Sequence, residues 1–303
     1  MQVFVTGASG HIASEVIPEL LSAGHTVLGL ARSDAAAATV ETRGAEVWRG
    51  DIADLDSLRE AAREADGVIH LAFDHAAQNA GDLAGAVEAD LAAVQAIGSA
   101  LAGTGKPLVG TNATGGIALA GFAGILTEDV VLHGGPRIDA ENRVIGLADQ
   151  NVRACVVRLP PAVHSNGRYG FVSGLIETAR ATGTSGYLGD GANRWGATHT
   201  RDVARLYRLA LDSAPAGARL HAVAEEGISL SEIAETIGHR LGIPTAPVAP
   251  EDASQRFGFL TPFVGMDNPA SSRNTRTALD WAPSHHGLIE ALKHDPNLVL
   301  ASR

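Results

Sequence analysis

The first fourteen residues, MQVFVTGASGHIAS, restrict the fold more than any other stretch. Gln2 to Val5 is short, apolar and β-prone, which reads as a strand. It runs directly into Thr6-Gly7-Ala8-Ser9-Gly10, and an amphipathic helix is predicted from about His11. A glycine turn set between a strand and a helix is the arrangement that cradles phosphates. Gly7 permits the tight turn, Gly10 lets backbone approach a pyrophosphate, and Ala13 is small enough for close helix–strand packing. Unpaired N–H groups and the positive end of the helix dipole then face the phosphates, so Ser9, His11 and Ile12 are cofactor-contacting candidates. The spacing is Gly-x-x-Gly-x-x-Ala, not the commoner Gly-x-Gly-x-x-Gly. Alone it leaves an ordinary αβ turn open.

The chain keeps this strand–helix rhythm as far as residue 159. Strands are predicted at 25–30, 46–49, 67–72, 107–110 and 153–159, with helices at 55–64, 84–102 and 139–150 and an alanine-rich helix after Asp34. Strands alternating with helices at this spacing imply right-handed βαβ units. Their apolar runs lack polar alternation, so the sheet is covered on both faces. The fold class is therefore α/β, a doubly wound parallel Rossmann sheet. Beyond Pro160-Pro161 glycine, proline and aromatic residues become frequent. The expected division is a dinucleotide-binding domain over 1–158, with 196–225 returning to it. A smaller substrate-covering lobe is expected over 159–195 and 226–303.

Composition excludes several function classes. The 303 residues are 45% hydrophobic and 19% charged, as in ordinary globular domains. No run approaches the roughly 20 apolar residues of a membrane span. The chain opens on a strand, so no targeting leader is expected. Its one cysteine, Cys155, excludes an internal disulfide, fits a reducing cytoplasm and lies in an apolar run as an inert thiol. A formal charge of −11 argues against nucleic acid or an acidic membrane as partner and leaves a small-molecule substrate. The alanine-rich helix at 84–102 can pair across a homodimer or pack internally; both remain open.

Together these pieces resemble the extended short-chain dehydrogenase/reductases, the group that includes NAD-dependent epimerase/dehydratases. Thr6-Gly-Ala-Ser-Gly10-His-Ile-Ala13 matches the cofactor turn, Gly50-Asp51-Ile52 the adenine-contacting pair, and His70-Leu71-Ala72 the strand that passes the adenosine ribose. Arg158-Leu-Pro160-Pro-Ala-Val-His164 is similar to the segment that wraps the nicotinamide. The stretch from Asn193 through His199 and Asp202 to Ala204 resembles the family's His-Val-x-Asp-Val-Ala, and Leu279-Asp-Trp281-Ala-Pro283 its Gly-Trp-x-Pro. The family's proton-donating Tyr-x-x-x-Lys pair is absent. Arg137 stands in the tyrosine position and Glu141 in the lysine position. Four apart, on one helix face if the helix begins by Arg137, and opposite in charge, these two can pair with each other and are expected to move no proton.

The resemblance implies a dinucleotide cofactor held by Gly7, Ser9, Gly10, His11, Ile12, Asp51, Ile52, Leu71, Ala72 and Pro160. At the end of the second strand an acid would hold the ribose diol of NAD. Ala31 stands there, followed by Arg32 and Ser33. A cation and a hydroxyl suit a 2′-phosphate, so the cofactor expected is NADP. Thr111 and Thr114 fall at the carboxyl end of the fifth strand, where the family's catalytic serine or threonine lies. His164 replaces a tyrosine near the nicotinamide and would donate a proton near neutral pH. No metal-ligand spacing appears. The expected function is an NADP(H)-dependent oxidoreductase acting on a small carbonyl-like substrate in the cytoplasm. The alternative is an NADP(H)-binding sensor that has lost catalysis.

Overall fold

Each predicted strand–helix alternation becomes one βαβ unit. In the computed structural model, which describes residues 1–135, 137–165 and 167–298, the order is β1 (Gln2–Thr6), α1 (Ala13–Ser22), β2 (Thr26–Ala31), α2 (Asp34–Thr42), β3 (Glu46–Arg49), α3 (Leu55–Glu64), β4 (Gly67–His70), α4 (His75–Asn79) and α5 (Leu83–Leu101). Next come β5 (Pro107–Ala113), α6 (Thr114–Leu119), α7 (Ile138–Gly146) and β6 (Arg153–Leu159). Short polar side chains start the helices: Ser33 accepts the N–H of Ala36, Asp54 that of Ser57 and Asp82 that of Gly85.

The strands form a seven-stranded parallel sheet in the order β10-β6-β5-β4-β1-β2-β3, where β10 is Arg219–His221. The order reverses between β1 and β4, which places the glycine turn of β1 at the sheet's switch point. Val3, Val5, Ile17, Leu20 and Val157 fill one face beneath α1 and α2. Phe4, Leu58, Val68, Ile97 and Val144 fill the other beneath α3, α5 and α7. Each such side chain contributes about 1.5–3 kcal/mol on burial. The alanine-rich face of α5 packs on α3 and α7, so this face is internal.

Strands β5 and β10 depart from the sequence reading. Strand β5 runs on to Ala113, so Thr111 and Asn112 lie in the sheet and not in a turn. Pairing of Asn112 with Arg158 and of Ala113 with Leu159 in β6 overrides the weak strand propensity of Thr-Asn-Ala. The edge strand β10 is only three residues long, too short to carry a periodic signal of its own.

After β6 the chain leaves the large sheet. The lobe contains β7 (Ala162–His164), α8 (Phe171–Thr182), β8 (Ser185–Leu188) and β9 (Arg194–His199). The chain returns through α9 (Thr200–Ser213), which packs on α1, and through β10. It then adds β11 (Glu225–Ser229), α10 (Leu230–Leu241) and β12 (Thr245–Val248) to the lobe. Strand β9 pairs parallel with β7 and antiparallel with β11, while β8 pairs with β12. Trp195, wholly buried, belongs to the lobe's core with Tyr169, Ile176, Ile233 and Phe257 and packs edge-on to Phe171. Asn166 and residues 299–303, assigned to the lobe from sequence, lie outside the described residues. Among the described residues no helix is long and apolar enough to cross a membrane.

Candidate dinucleotide cleft and the polar centre beside it

The turn is held by one hydroxyl. Thr6, the last residue of β1, accepts the N–H groups of Leu71 and Ala72 at 3.1 Å each on its Oγ1. Its own proton therefore goes to His70 Nδ1 at 2.8 Å. Gly7 then turns with φ +65°, and a Cβ there would lie 2.9 Å from the backbone of Leu71 and Ala72. Helix α1 starts after Ile12 without a side-chain cap, unlike α2, α3 and α5. The N–H groups of His11 and Ile12 find no acceptor among the described residues. Arg43, at the end of α2, donates to the carbonyls of Ala8, Ser9 and Gly10, the last two at 3.1 and 3.0 Å. Sequence alone does not single out Arg43, because no local pattern ties it to a turn 33 residues away.

A cleft of about 380 Å³ opens over this turn. Gly7, Ser9, Gly10, His11, Ile12, Arg32, Asp51, Ile52, Leu71 and Ala72 line it together, joined by Phe73, Asp74 and His75. Arg32 is exposed and makes no side-chain hydrogen bond among the described residues. Ser33 and Pro160 do not line the cleft. Ser33 caps α2, and Pro160 is buried against Gly196. The cleft fits an extended phosphate-bearing dinucleotide. Free donors stand at the helix start, and a Cβ at Gly10 would meet only the Gly7 carbonyl, at 3.1 Å, with open space beyond.

The three residues expected to do the chemistry face inward. Thr111 donates to the His70 carbonyl at 2.7 Å and accepts from the Tyr207 hydroxyl at 2.7 Å. Burial pushes that tyrosine's pKa up. Thr114 is fully buried and donates to Asn268 Oδ1 at 2.6 Å. His164 is also fully buried, packed edge-on to His199 at 5.5 Å and tilted to His286 at 6.0 Å. Its reading as a neutral-pH proton donor is corrected. Burial first, and then the neighbouring imidazoles, hold its pKa down to about 3, so the ring is neutral at pH 7. The Cys155 thiol is likewise inert: burial pushes it up to about 12.

Arg137 and Glu141 do not pair, which corrects the second expectation. Arg137 stands just ahead of α7 with φ +63°, outside the helix, so the four-residue spacing does not place the two on one face. Its guanidinium donates to the Thr111 carbonyl at 3.0 Å, lies 4.2 Å over the Phe73 ring, and has Asp90 3.7 Å from Nε. Glu141 turns into the core. It accepts from Arg158 at 2.6 and 3.0 Å, Asn112 at 2.6 Å and Arg219 at 2.8 Å. Burial raises its pKa, and these hydrogen bonds overcome that and hold the carboxyl below the usual range. Asp90 in turn accepts His70 Nε2–H at 3.2 Å.

The last two resembling segments touch each other. Buried Asp202 at the start of α9 accepts the N–H groups of Ser284 and His285 and pairs with the His285 ring at 2.9 Å, while Trp281 donates to the Asp202 carbonyl. His199 stacks on His285 at 4.6 Å, bracing the same junction.

The sequence profile of the NAD dependent epimerase/dehydratase family matches residues 3–111, from β1 into β5. The chain is 43% identical to the uncharacterized protein C2A9.02 of Schizosaccharomyces pombe, over 97% of this chain and 99% of that one. It is 42% identical to the uncharacterized protein YLL056C of Saccharomyces cerevisiae, over 98% and 100%. Among solved structures it superposes on DesIV, a dTDP-glucose 4,6-dehydratase from Streptomyces venezuelae with NAD and TYD bound. The TM-score is 0.77 at 20% identity, covering 98% of this chain and 96% of that one, a likeness of fold. Strand order, glycine turn and matched profile agree: the chain belongs to the NAD-dependent epimerase/dehydratase family.

Proposed function

We propose that this protein is an NADP(H)-dependent oxidoreductase acting on a small carbonyl compound. One observation carries the cofactor choice. Ala31 ends β2 where an acid would hold a ribose diol, and Arg32 beside it lines the cleft with its guanidinium free of side-chain hydrogen bonds among the described residues. The turn from Gly7 to Ile12 would hold the pyrophosphate, Asp51 and Ile52 the adenine, Leu71 and Ala72 the ribose, and Arg32 the 2′-phosphate. Bound there, the nicotinamide supplies or accepts hydride. The lone buried cysteine suits a cytoplasmic location.

Titration of the purified protein with NADPH and NADH tests the reading. Charge-assisted contacts to a 2′-phosphate are expected to contribute about 1.5–3 kcal/mol, a preference of about tenfold to a hundredfold for NADPH that Arg32→Ala largely removes. Equal or tighter binding of NADH by the wild type would sink it.

A second reading, a dinucleotide sensor without turnover, is favoured by a specific observation. The hydroxyl protons of Thr111 and Thr114 go to internal acceptors, and His164 is neutral. Screening aldehydes, ketones, imines and enones against NADPH absorbance separates the two: turnover above background supports the enzyme.

A further inference from the structure

Arg137 is a cation at the carboxyl end of the sheet with most of its donors unused. Its backbone sits at φ +63°, a left-handed conformation that a side chain as large as arginine seldom adopts and that persists where the surroundings over-determine it. That backbone brings the side chain to the Thr111 carbonyl at the end of β5 and onto Phe73, just past β4. A guanidinium carries five N–H donors. Among the described residues Arg137 makes one hydrogen bond, to Thr111 O at 3.0 Å. The buried Nε has no acceptor, because Asp90 stands 3.7 Å away, beyond hydrogen-bond reach. Asp90 receives His70 Nε2–H on its other oxygen. It thus balances part of the charge and leaves the buried Nε–H without an acceptor. Phe73, under the guanidinium, also lines the dinucleotide cleft, so Arg137 stacks on a residue of the cleft wall.

We propose that Arg137 anchors an anion subsite that takes the carboxylate of a small oxo-acid. The inference rests on the oxidoreductase reading for the carbonyl group; the carboxylate half stands on Arg137 alone. A planar carboxylate matches two N–H groups of one guanidinium. A phosphate dianion would face a single cation already offset by Asp90. In a chain of net charge −11, a bound anion needs such a local cation.

The test compares acids with their neutral esters on the full chain, by calorimetry and thermal shift, with and without NADP⁺. Acetate, pyruvate and 2-oxobutyrate are set against methyl acetate, methyl pyruvate and methyl 2-oxobutyrate. At least one acid is expected to bind about tenfold or more tightly than its ester. Arg137→Met should abolish that preference, and Arg137→Lys should keep part of it by retaining charge without the fork. Should Arg137→Met fail to fold, the lysine variant and the acid–ester comparison decide. An ester binding as well as its acid, an Arg137→Met protein keeping the preference, or no short carboxylate binding at all would overturn the subsite. If the wild type binds neither NADPH nor NADH, the oxidoreductase reading fails by itself, because the acid–ester comparison on cofactor-free protein still decides the subsite.

Discussion

Gly7 and Gly10 belong to one motif but meet different constraints. Gly7 combines φ +65° with backbone 2.9 Å from where its Cβ would stand. Gly7→Val therefore strains the turn and pushes β1 from β4, and a lower thermal midpoint together with lost NADPH binding is expected. Gly10 has no such clash beyond the Gly7 carbonyl at 3.1 Å. Gly10→Val should leave the circular dichroism spectrum and midpoint near wild type while its side chain fills pyrophosphate space and abolishes NADPH binding. Normal NADPH affinity in a folded Gly10→Val protein would show that the phosphates bind elsewhere. The two glycines were legible in sequence because backbone conformation and close approach are local demands. Arg43 and Tyr207 were not: each acts on a residue distant in the chain, and nothing in its own neighbourhood announces the partner.

Helix α7 shows how one element can carry two unrelated roles. The residue ahead of its first turn, Arg137, faces the cleft side of the sheet. One turn later Glu141 is buried and ties α7 to β5, β6 and β10 through Asn112, Arg158 and Arg219. Removing that carboxylate leaves the wholly buried Arg158 guanidinium short of its ion pair. Glu141→Ala should cost about 3–5 kcal/mol, the usual consequence of breaking a buried pair. The loss is read as a lower urea midpoint. Arg137→Ala should cost much less, since its partner Asp90 keeps the His70 hydrogen bond. A Glu141→Ala midpoint equal to wild type would refute the structural role. In sequence the pair looks like a salt bridge four residues apart, but the left-handed backbone at Arg137 takes it out of the helix before that spacing applies.

Across the molecule, histidines gather where the lobe meets the sheet. His11 follows the glycine turn, His164 ends β7, His199 ends β9, and His285 and His286 lie on the returning C-terminal segment. Burial is the first cause that holds His164 at about 3 and His199 at about 4, and it also brings His221 to about 4. In the unfolded chain these rings titrate near 6.5. Below that pH the unfolded state binds more protons than the native state, so stability rises with pH through this window. It is fully present above about pH 6.5 and is lost as pH falls toward 4, at up to about 1.4 kcal/mol per pH unit for each histidine. Thermal melts at pH 7 and pH 5 should therefore show a marked fall in midpoint, and His164→Phe should reduce that fall. A midpoint independent of pH between 7 and 5 would contradict the buried neutral cluster.

The parallel sheet of β1 to β6, its covering on both faces and the glycine turn between its first strand and first helix were determined by the sequence alone. Apolar periodicity and glycine placement act over a few residues, and each of the strands β1 to β6 carries its own signal. The ten cleft residues came from that signal and from the family likeness, and tertiary packing brought them to one wall. Only the tertiary structure decided what the polar side chains do. Thr111 donates a hydrogen bond to the His70 carbonyl and accepts one from Tyr207, 96 positions on; Thr114 bonds Asn268, 154 positions on; His164 is silenced first by burial and then by neighbouring imidazoles from distant parts of the chain. A hydroxyl or an imidazole has the same covalent chemistry wherever it occurs. Its protonation and its free donors depend on which distant groups and how much water folding leaves beside it.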